Sequence, residues 1–122
     1  MRRTLAVAAG LGLVGVAAGA FGAHGLRDLV SARDLSTWET AARYQQIHAV
    51  LLAAIALWGP SSKAIRAAAV LLGVGVVIFS GTLYAIVLGG PRILGAVTPL
   101  GGLCLMAAWG ALLVHALAMK KS

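Results

Sequence analysis

The chain has 122 residues, of which 61% are hydrophobic and 11% charged, and its mean hydropathy is +0.96. A soluble domain of this length needs far more charge to cover its surface, so the composition excludes an ordinary soluble protein. Ten Lys and Arg against three acids give a net charge of +7. These basic residues flank hydrophobic stretches and form no basic stripe, so we expect no nucleic-acid partner.

Four stretches carry no charge, and each is about as long as a membrane-crossing helix, which needs about 20 mainly apolar residues. They are Thr4–Ala23, Tyr44–Ser62, Ala67–Pro91 and Ile93–Met119. The sequence therefore predicts an all-α integral membrane four-helix bundle that forms a single domain over residues 1–122. By the same length rule, the predicted spans cover about 4–25, 40–59, 65–88 and 96–118.

The first span is rich in glycine. Gly12, Gly15, Gly19 and Gly22 follow one another at intervals of three, four and three residues, which places them on one helix face. Such a face lets another backbone approach closely, and Gly15 with Gly19 makes the small-xxx-small pattern of membrane helix pairs. The pattern leaves open whether the partner is another span of the chain or a second copy.

The same stretch has an alternative interpretation as a cleaved signal peptide. It begins with Arg2 and Arg3, continues into an apolar run and contains the small triplet Ala18-Gly19-Ala20. The apolar run is longer than the usual core of a signal peptide, and its removal would leave three spans. We therefore expect a retained first span.

All three acids lie between the first two spans: Asp28, Asp34 and Glu39. The segment Ser36-Thr37-Trp38-Glu39 matches the Ser/Thr-x-x-Glu capping box, which predicts that the second helix begins near Thr37. Glu39 and Arg43 stand four residues apart in the order that favours a helical ion pair. Residues 26–35 are expected to form a short amphipathic helix that lies on the outer face of the bilayer.

Membrane-embedded polar residues recur at one level of the predicted bundle. Because the spans alternate in direction, groups from all four fall near the outer leaflet. This predicts a polar cluster of His24, Gln45, His48, Ser80, Tyr84 and Thr98. His24 stands between glycines at the outer end of the first span. Its imidazole is expected to form a hydrogen bond with Gln45, His48 or Tyr84.

Four other side chains are assigned roles by position. Trp38 and Tyr44 are expected to be interfacial aromatics. Cys104 is the one cysteine of the chain and is expected to be a small buried residue without a disulfide partner. His115 is expected to anchor the fourth span at the cytoplasmic interface beside Trp109 and Lys120.

Charge asymmetry predicts the orientation. With four spans, both termini and the loop after the second span share one side, which holds six basic residues and no acid: Arg2, Arg3, Lys63, Arg66, Lys120 and Lys121. The other side holds four arginines and the three acids. We expect the protein to lie in the inner membrane of the cell. The positive-inside rule then predicts that both termini face the cytoplasm.

Four blocks carry a family resemblance: AFGAHGL at 20–26, Tyr44-Gln45-x-x-His48, FSGTLY at 79–84 and TPLGG at 98–102. Together they resemble the signature blocks of the YgdD/YwdK-like small inner-membrane proteins, catalogued as domain of unknown function 423. Thr82 stands where the resemblance leads us to expect serine, and it keeps the hydroxyl. The resemblance implies a four-helix bacterial cytoplasmic-membrane protein and supplies no catalytic residues.

Polar groups inside a bilayer are costly, which makes the cluster a candidate functional site as well as a candidate packing device. We expect a non-enzymatic protein without a cofactor that interacts through the cluster with membrane lipids or a membrane-protein partner, such as a second copy. One alternative is an oligomeric channel or transporter in which histidines carry protons. Another is a haem- or metal-binding membrane protein that uses His24 and His48 as ligands.

Overall fold

The computed structural model describes residues 1–59 and 62–119, and every regular element in these two ranges is helical. Helix α1 covers Arg2–Phe21 and continues into a π-helical turn at Gly22–Leu26. The other three helices are α2 at Ala32–Trp58, α3 at Lys63–Val87 and α4 at Leu94–Ala118. The predicted all-α fold class is confirmed.

Three stretches are long and apolar enough to cross a membrane: Arg2–Leu26, Lys63–Val87 and Leu94–Ala118. Helix α2 differs because its first half carries charged and amide side chains. It nevertheless packs along both α1 and α3. The spans predicted from the sequence correspond to the four helices, and membrane crossing by α2 stays a prediction.

The helices form a zigzag. Helix α1 packs on α2, α2 on α3 and α3 on α4, whereas the backbones of α1 and α4 do not meet. Helices α1 and α3 therefore form one layer, and α2 and α4 form the other. We call the side where α1 and α3 begin the inner side, and the side where α2 and α4 begin the outer side.

The connection between α1 and α2 differs from the expectation. Residues 26–35 form no separate amphipathic helix: the π-helical turn extends α1, and α2 already begins at Ala32. The Oγ of Ser31 accepts a hydrogen bond from the Asp34 backbone N–H at 3.1 Å and caps α2. This cap lies five residues before the predicted one and has the same chemistry, because a serine accepts from the third residue after it in both cases.

Two details of the predicted second helix are consequently wrong. Ser36 lies inside α2, where its carbonyl accepts from the Thr40 hydroxyl at 3.0 Å, so the predicted capping box does not form. Glu39 and Arg43 form no ion pair, since the pair found within the described ranges joins Arg27 to Asp28 at 3.9 Å.

The glycine face of α1 packs against α2 of the same chain. A methyl group at Gly15 would lie 3.0 Å from Cγ of Gln46, and one at Gly22 would lie 2.7 Å from Cδ1 of Trp38. A methyl group at Gly10, which is off this face, would meet nothing within 4 Å. The partner left open by the sequence is therefore α2 for the whole stripe of Gly12, Gly15, Gly19 and Gly22.

A second glycine contact joins α3 to α4, and the sequence analysis did not single it out. A methyl group at Gly101 would collide with the backbone nitrogen of Phe79 and lie 2.9 Å from the carbonyl oxygen of Gly75. One at Gly75 would lie 2.8 Å from the Leu105 side chain. The two helices thus approach to backbone contact, which only glycine permits at these positions.

Candidate functional site

Side chains of α2 donate N–H groups to backbone carbonyls of α1. Three such bonds, each 2.8 Å long, run from Gln45 to Leu11, from Gln46 to Gly15 and from Trp38 to Ala18. The three carbonyls are four and three residues apart, so they lie on one face of α1. Because glycines on that face carry no side chain, the carbonyls of α1 stay accessible. The polar side chains in the first half of α2 donate to them.

Gln45 joins three helices. Its side chain is only 3% exposed, its Nε2 donates to Leu11 in α1, and its Oε1 accepts from the Tyr84 hydroxyl of α3 at 2.7 Å. Two of the predicted cluster residues, Gln45 and Tyr84, are therefore in direct contact.

Hydroxyl groups make the other buried contacts. Ser80 donates to the Ala41 carbonyl of α2 at 2.7 Å, and Thr98 of α4 shares a hydrogen bond with Thr82 of α3. No buried side-chain nitrogen or oxygen atom in the described part of the chain lacks a partner. Each of these buried groups therefore has a partner within the protein, and together they link neighbouring helices.

His48 lies on the other side of α2, towards α4. It is 6% exposed, its Nδ1 lies 2.7 Å from the Tyr44 carbonyl, and its Nε2 lies 3.2 Å from the indole Nε1 of Trp109. A carbonyl only accepts and an indole N–H only donates, so these two contacts fit the tautomer that carries its proton on Nδ1. A metal or haem iron could bind Nε2 only after displacing Trp109.

His24 does not join the cluster. It lies in the π-helical turn, is exposed, and has no hydrogen bond or ion pair within the described residues, so its expected bond to Gln45, His48 or Tyr84 is wrong. Gly22 faces Trp38 of α2. Successive helical residues turn by roughly 100°, so a residue two positions later points to the opposite side.

Trp38 packs against Tyr84, which was one of the partners expected for His24. Trp38 is 7% exposed, packs against Tyr84 with ring centroids 4.6 Å apart, and forms an edge-to-face pair with Phe21 at a centroid separation of 5.7 Å. Trp38 therefore packs inside the helix bundle, and its level at the membrane interface stays a prediction. Tyr44 is exposed, as expected of an interfacial residue, and stacks on Phe79 at 4.6 Å.

His115 and Trp109, both on α4, contact different residues. His115 Nδ1 lies 2.8 Å from the Ser62 hydroxyl at the start of α3, and its ring meets the edge of Trp58 at 5.7 Å. Trp109 pairs with His48 instead, and Lys120 lies outside the described residues. Cys104 is half-buried between α3 and α4 and has no disulfide.

A groove of about 520 Å³ lies between α2 and α4, on the side of α3 away from α1. We call it the α2–α4 groove. Its lining is mainly apolar, with a few polar groups, and it consists of Arg43, Tyr44, Ile47, His48, Gly102, Leu105, Met106 and Trp109. Its volume falls within the range of small-molecule pockets, about 300–1,000 Å³. No cluster of three or more metal-ligating side chains occurs in the ranges described.

Comparisons with known proteins give a consistent result. Residues 18–102 match the model of the family described as "Protein of unknown function (DUF423)". The chain is 38% identical over 122 residues to the UPF0382 inner membrane protein YgdD of Escherichia coli K12, covering 98% of this chain and 93% of the relative. It is 45% identical over 103 residues to the UPF0382 membrane protein SH2409 of Staphylococcus haemolyticus, covering 84% of each. No solved structure matches.

Proposed function

The chain belongs to the DUF423 family of small membrane proteins, and from this premise we propose that it binds a membrane lipid in the α2–α4 groove and catalyses no reaction. The observation that carries the proposal is an unpaired arginine at the mouth of an apolar groove. Arg43 lines the groove, is exposed and forms no ion pair with a described residue. Lipid phosphates are strong acceptors for a guanidinium group.

The depth of Arg43 suits a headgroup contact. Ala41 is level with Ser80, to which it is hydrogen-bonded, and α3 extends seven residues further to Val87. At 1.5 Å per residue, the Cα of Arg43 lies roughly 13 Å below the outer end of α3. Helical side chains point towards the N-terminus of their helix, which for α2 is the outer side. The guanidinium therefore reaches towards the phosphate level while the groove continues below it.

The proposed binding surface is the α2–α4 groove and not the buried polar cluster. Gln45, Ser80, Tyr84 and Thr98 use their polar atoms within the protein and stabilise the helix packing. Of the residues first assigned to the cluster, His48 alone lines the groove.

Two contacts support the absence of catalysis. Ser80 donates its proton to a backbone carbonyl, and the basic nitrogen of His48 accepts the indole N–H of Trp109. Neither side chain is poised as a nucleophile or a general base.

The lipid proposal is tested by native mass spectrometry of protein purified in mild detergent and titrated with phosphatidylglycerol. We expect lipid binding in this groove, which Arg43→Gln should weaken about tenfold because a charge-assisted hydrogen bond is lost. Gly102→Leu should block the groove, since a methyl group there would lie 3.8 Å from the Phe79 ring and further atoms would enter the groove.

Matched controls keep this test specific. Arg33→Gln removes another α2 arginine, and Gly110→Leu adds the same side chain to α4 where a methyl group would meet nothing within 4 Å. Both controls should bind like the parent protein. Equal lipid retention by all four variants, or a Soret band from co-purified haem, would contradict the proposal.

We also propose that both termini face the cytoplasm, because the inner side carries the excess of basic residues near helix ends. Alkaline phosphatase fused after Arg92 should be exported and active, whereas fusion after Ser62 should leave it inactive. Activity of the Ser62 fusion alone would reverse the orientation.

A further inference from the structure

A second groove lies on the opposite face of the zigzag, between α1 and α3, and its volume is about 510 Å³. We call it the α1–α3 groove. Leu52 of α2 forms part of its floor. Apolar side chains line most of its length, including Val7, Leu11, Val70 and Val74. Gly73 contributes no side chain to the α3 side of the groove, and a methyl group there would meet nothing within 4 Å, so the space above it is open.

The length of the groove is that of one lipid leaflet. Its lining runs from Arg3 to Leu11 along α1 and from Ala69 to Ile78 along α3. At 1.5 Å per residue, these stretches are about 12 and 14 Å long. Half of a hydrocarbon core of about 30 Å is about 15 Å. The groove therefore matches the depth of an acyl chain that enters from the inner side.

Positive charge lies only at the inner end of this groove. Arg3 lines it, and Arg66 stands on the same face of α3, four residues before Val70. Neither arginine forms an ion pair with a described residue. Helical side chains lean towards the start of their helix, and both helices begin at the inner side, so we expect both guanidinium groups there. The three acids of the chain all lie between residues 28 and 39, at the outer side.

We propose that the α1–α3 groove binds an acidic glycerophospholipid of the inner-side leaflet, with one acyl chain along Val7 and Val74 and its phosphate at Arg3 and Arg66. The occupant is a lipid rather than a helix of a second copy. A helix of a second copy would leave Arg3 facing an apolar surface without a counter-charge, whereas a lipid phosphate supplies one.

This site is independent of the lipid proposed for the α2–α4 groove, because the two grooves lie on opposite faces and use different residues. A lipid in each groove would come from a different leaflet. The residues that are cross-linked and the variants that abolish each site therefore separate the two proposals.

The test uses the whole protein in phosphatidylglycerol-containing nanodiscs with a phosphatidylglycerol probe that carries a diazirine in its acyl chain. After irradiation, mass spectrometry of peptides should place cross-links at Val7, Val70 and Val74. Gly73→Leu should abolish these cross-links by filling the groove. Gly81→Leu is the matched control, since it is also on α3, meets nothing within 4 Å and lies outside the groove.

The charge requirement is tested in the same way. The double variant Arg3→Gln, Arg66→Gln should lower cross-linking at these three valines by about tenfold or more, because two charge-assisted contacts to the phosphate are lost. Cross-links in the α2–α4 groove should persist in this variant and in Gly73→Leu. Equal labelling of parent, Gly73→Leu and double variant, or equal labelling by a phosphatidylcholine probe, would show annular lipid only and overturn the proposal.

Discussion

Gly101→Ala should lower the free energy of unfolding by roughly 1–3 kcal/mol or more, the range observed for overpacked interiors. The added methyl group would collide with the backbone nitrogen of Phe79 and lie 2.9 Å from the Gly75 carbonyl oxygen. A flexible side chain can move away from such a clash, but a helical backbone cannot. Helices α3 and α4 would have to separate, and α4 packs its backbone on no other helix.

The measurement is unfolding by titration with SDS in mixed micelles. Gly110→Ala is the matched control, because Gly110 lies on the same helix and a methyl group there meets nothing within 4 Å. Alanine favours helices by about 1 kcal/mol over glycine, so the control should be neutral or slightly stabilised. Equal stability of the two variants would show that the close approach of α3 and α4 is absent.

The glycines of α1 should give a smaller effect in the same assay. Gly15→Leu meets the flexible side chains of Gln45 and Gln46, which can move, whereas Gly10→Leu meets nothing within 4 Å. We expect the loss of stability to decrease from Gly101→Leu to Gly15→Leu to Gly10→Leu. A different order would show that these helix contacts do not determine the free energy of unfolding.

Gln45→Leu should cost roughly 1–3 kcal/mol, the penalty for leaving a buried partner unsatisfied. The substitution keeps an apolar side chain of similar size but removes the acceptor of the Tyr84 hydroxyl and the donor to the Leu11 carbonyl. The carbonyl keeps its helical bond, so the Tyr84 hydroxyl carries most of the loss.

A double-mutant cycle isolates this contact. Tyr84→Phe removes only the hydroxyl and should cost about 0.6–1.7 kcal/mol, as side-chain hydrogen bonds in membranes do. In the Gln45→Leu background it should cost much less, because its acceptor is already gone. Tyr44→Phe is the control, since no hydrogen bond of the Tyr44 hydroxyl occurs in the described ranges. Additive losses for Gln45 and Tyr84 would mean that they do not interact.

The family and the helical membrane architecture could be predicted from the sequence. Charge-free stretches of about 20 residues have few alternatives to membrane helices, because an unpaired backbone polar group is too costly in lipid. The glycine period of α1 also predicted a packing face correctly, since helical geometry alone decides which residues share a face. Counting residues along alternating helices predicts Gln45, Ser80, Tyr84 and Thr98 near the outer leaflet, and that level stays a prediction.

Only the tertiary structure decided how those faces meet. His24 is exposed and makes no hydrogen bond to the cluster, whereas Trp38 is buried and donates to the Ala18 carbonyl of α1. The start of α2 depended on a choice between serine caps at Ser31 and Ser36, whose energies of about 0.5–2 kcal/mol the sequence cannot rank. Both grooves, and the contact of Gly101 with α3, arise from the zigzag order of the helices. That order depends on how side chains of different helices interlock, and no period within a single helix contains this information.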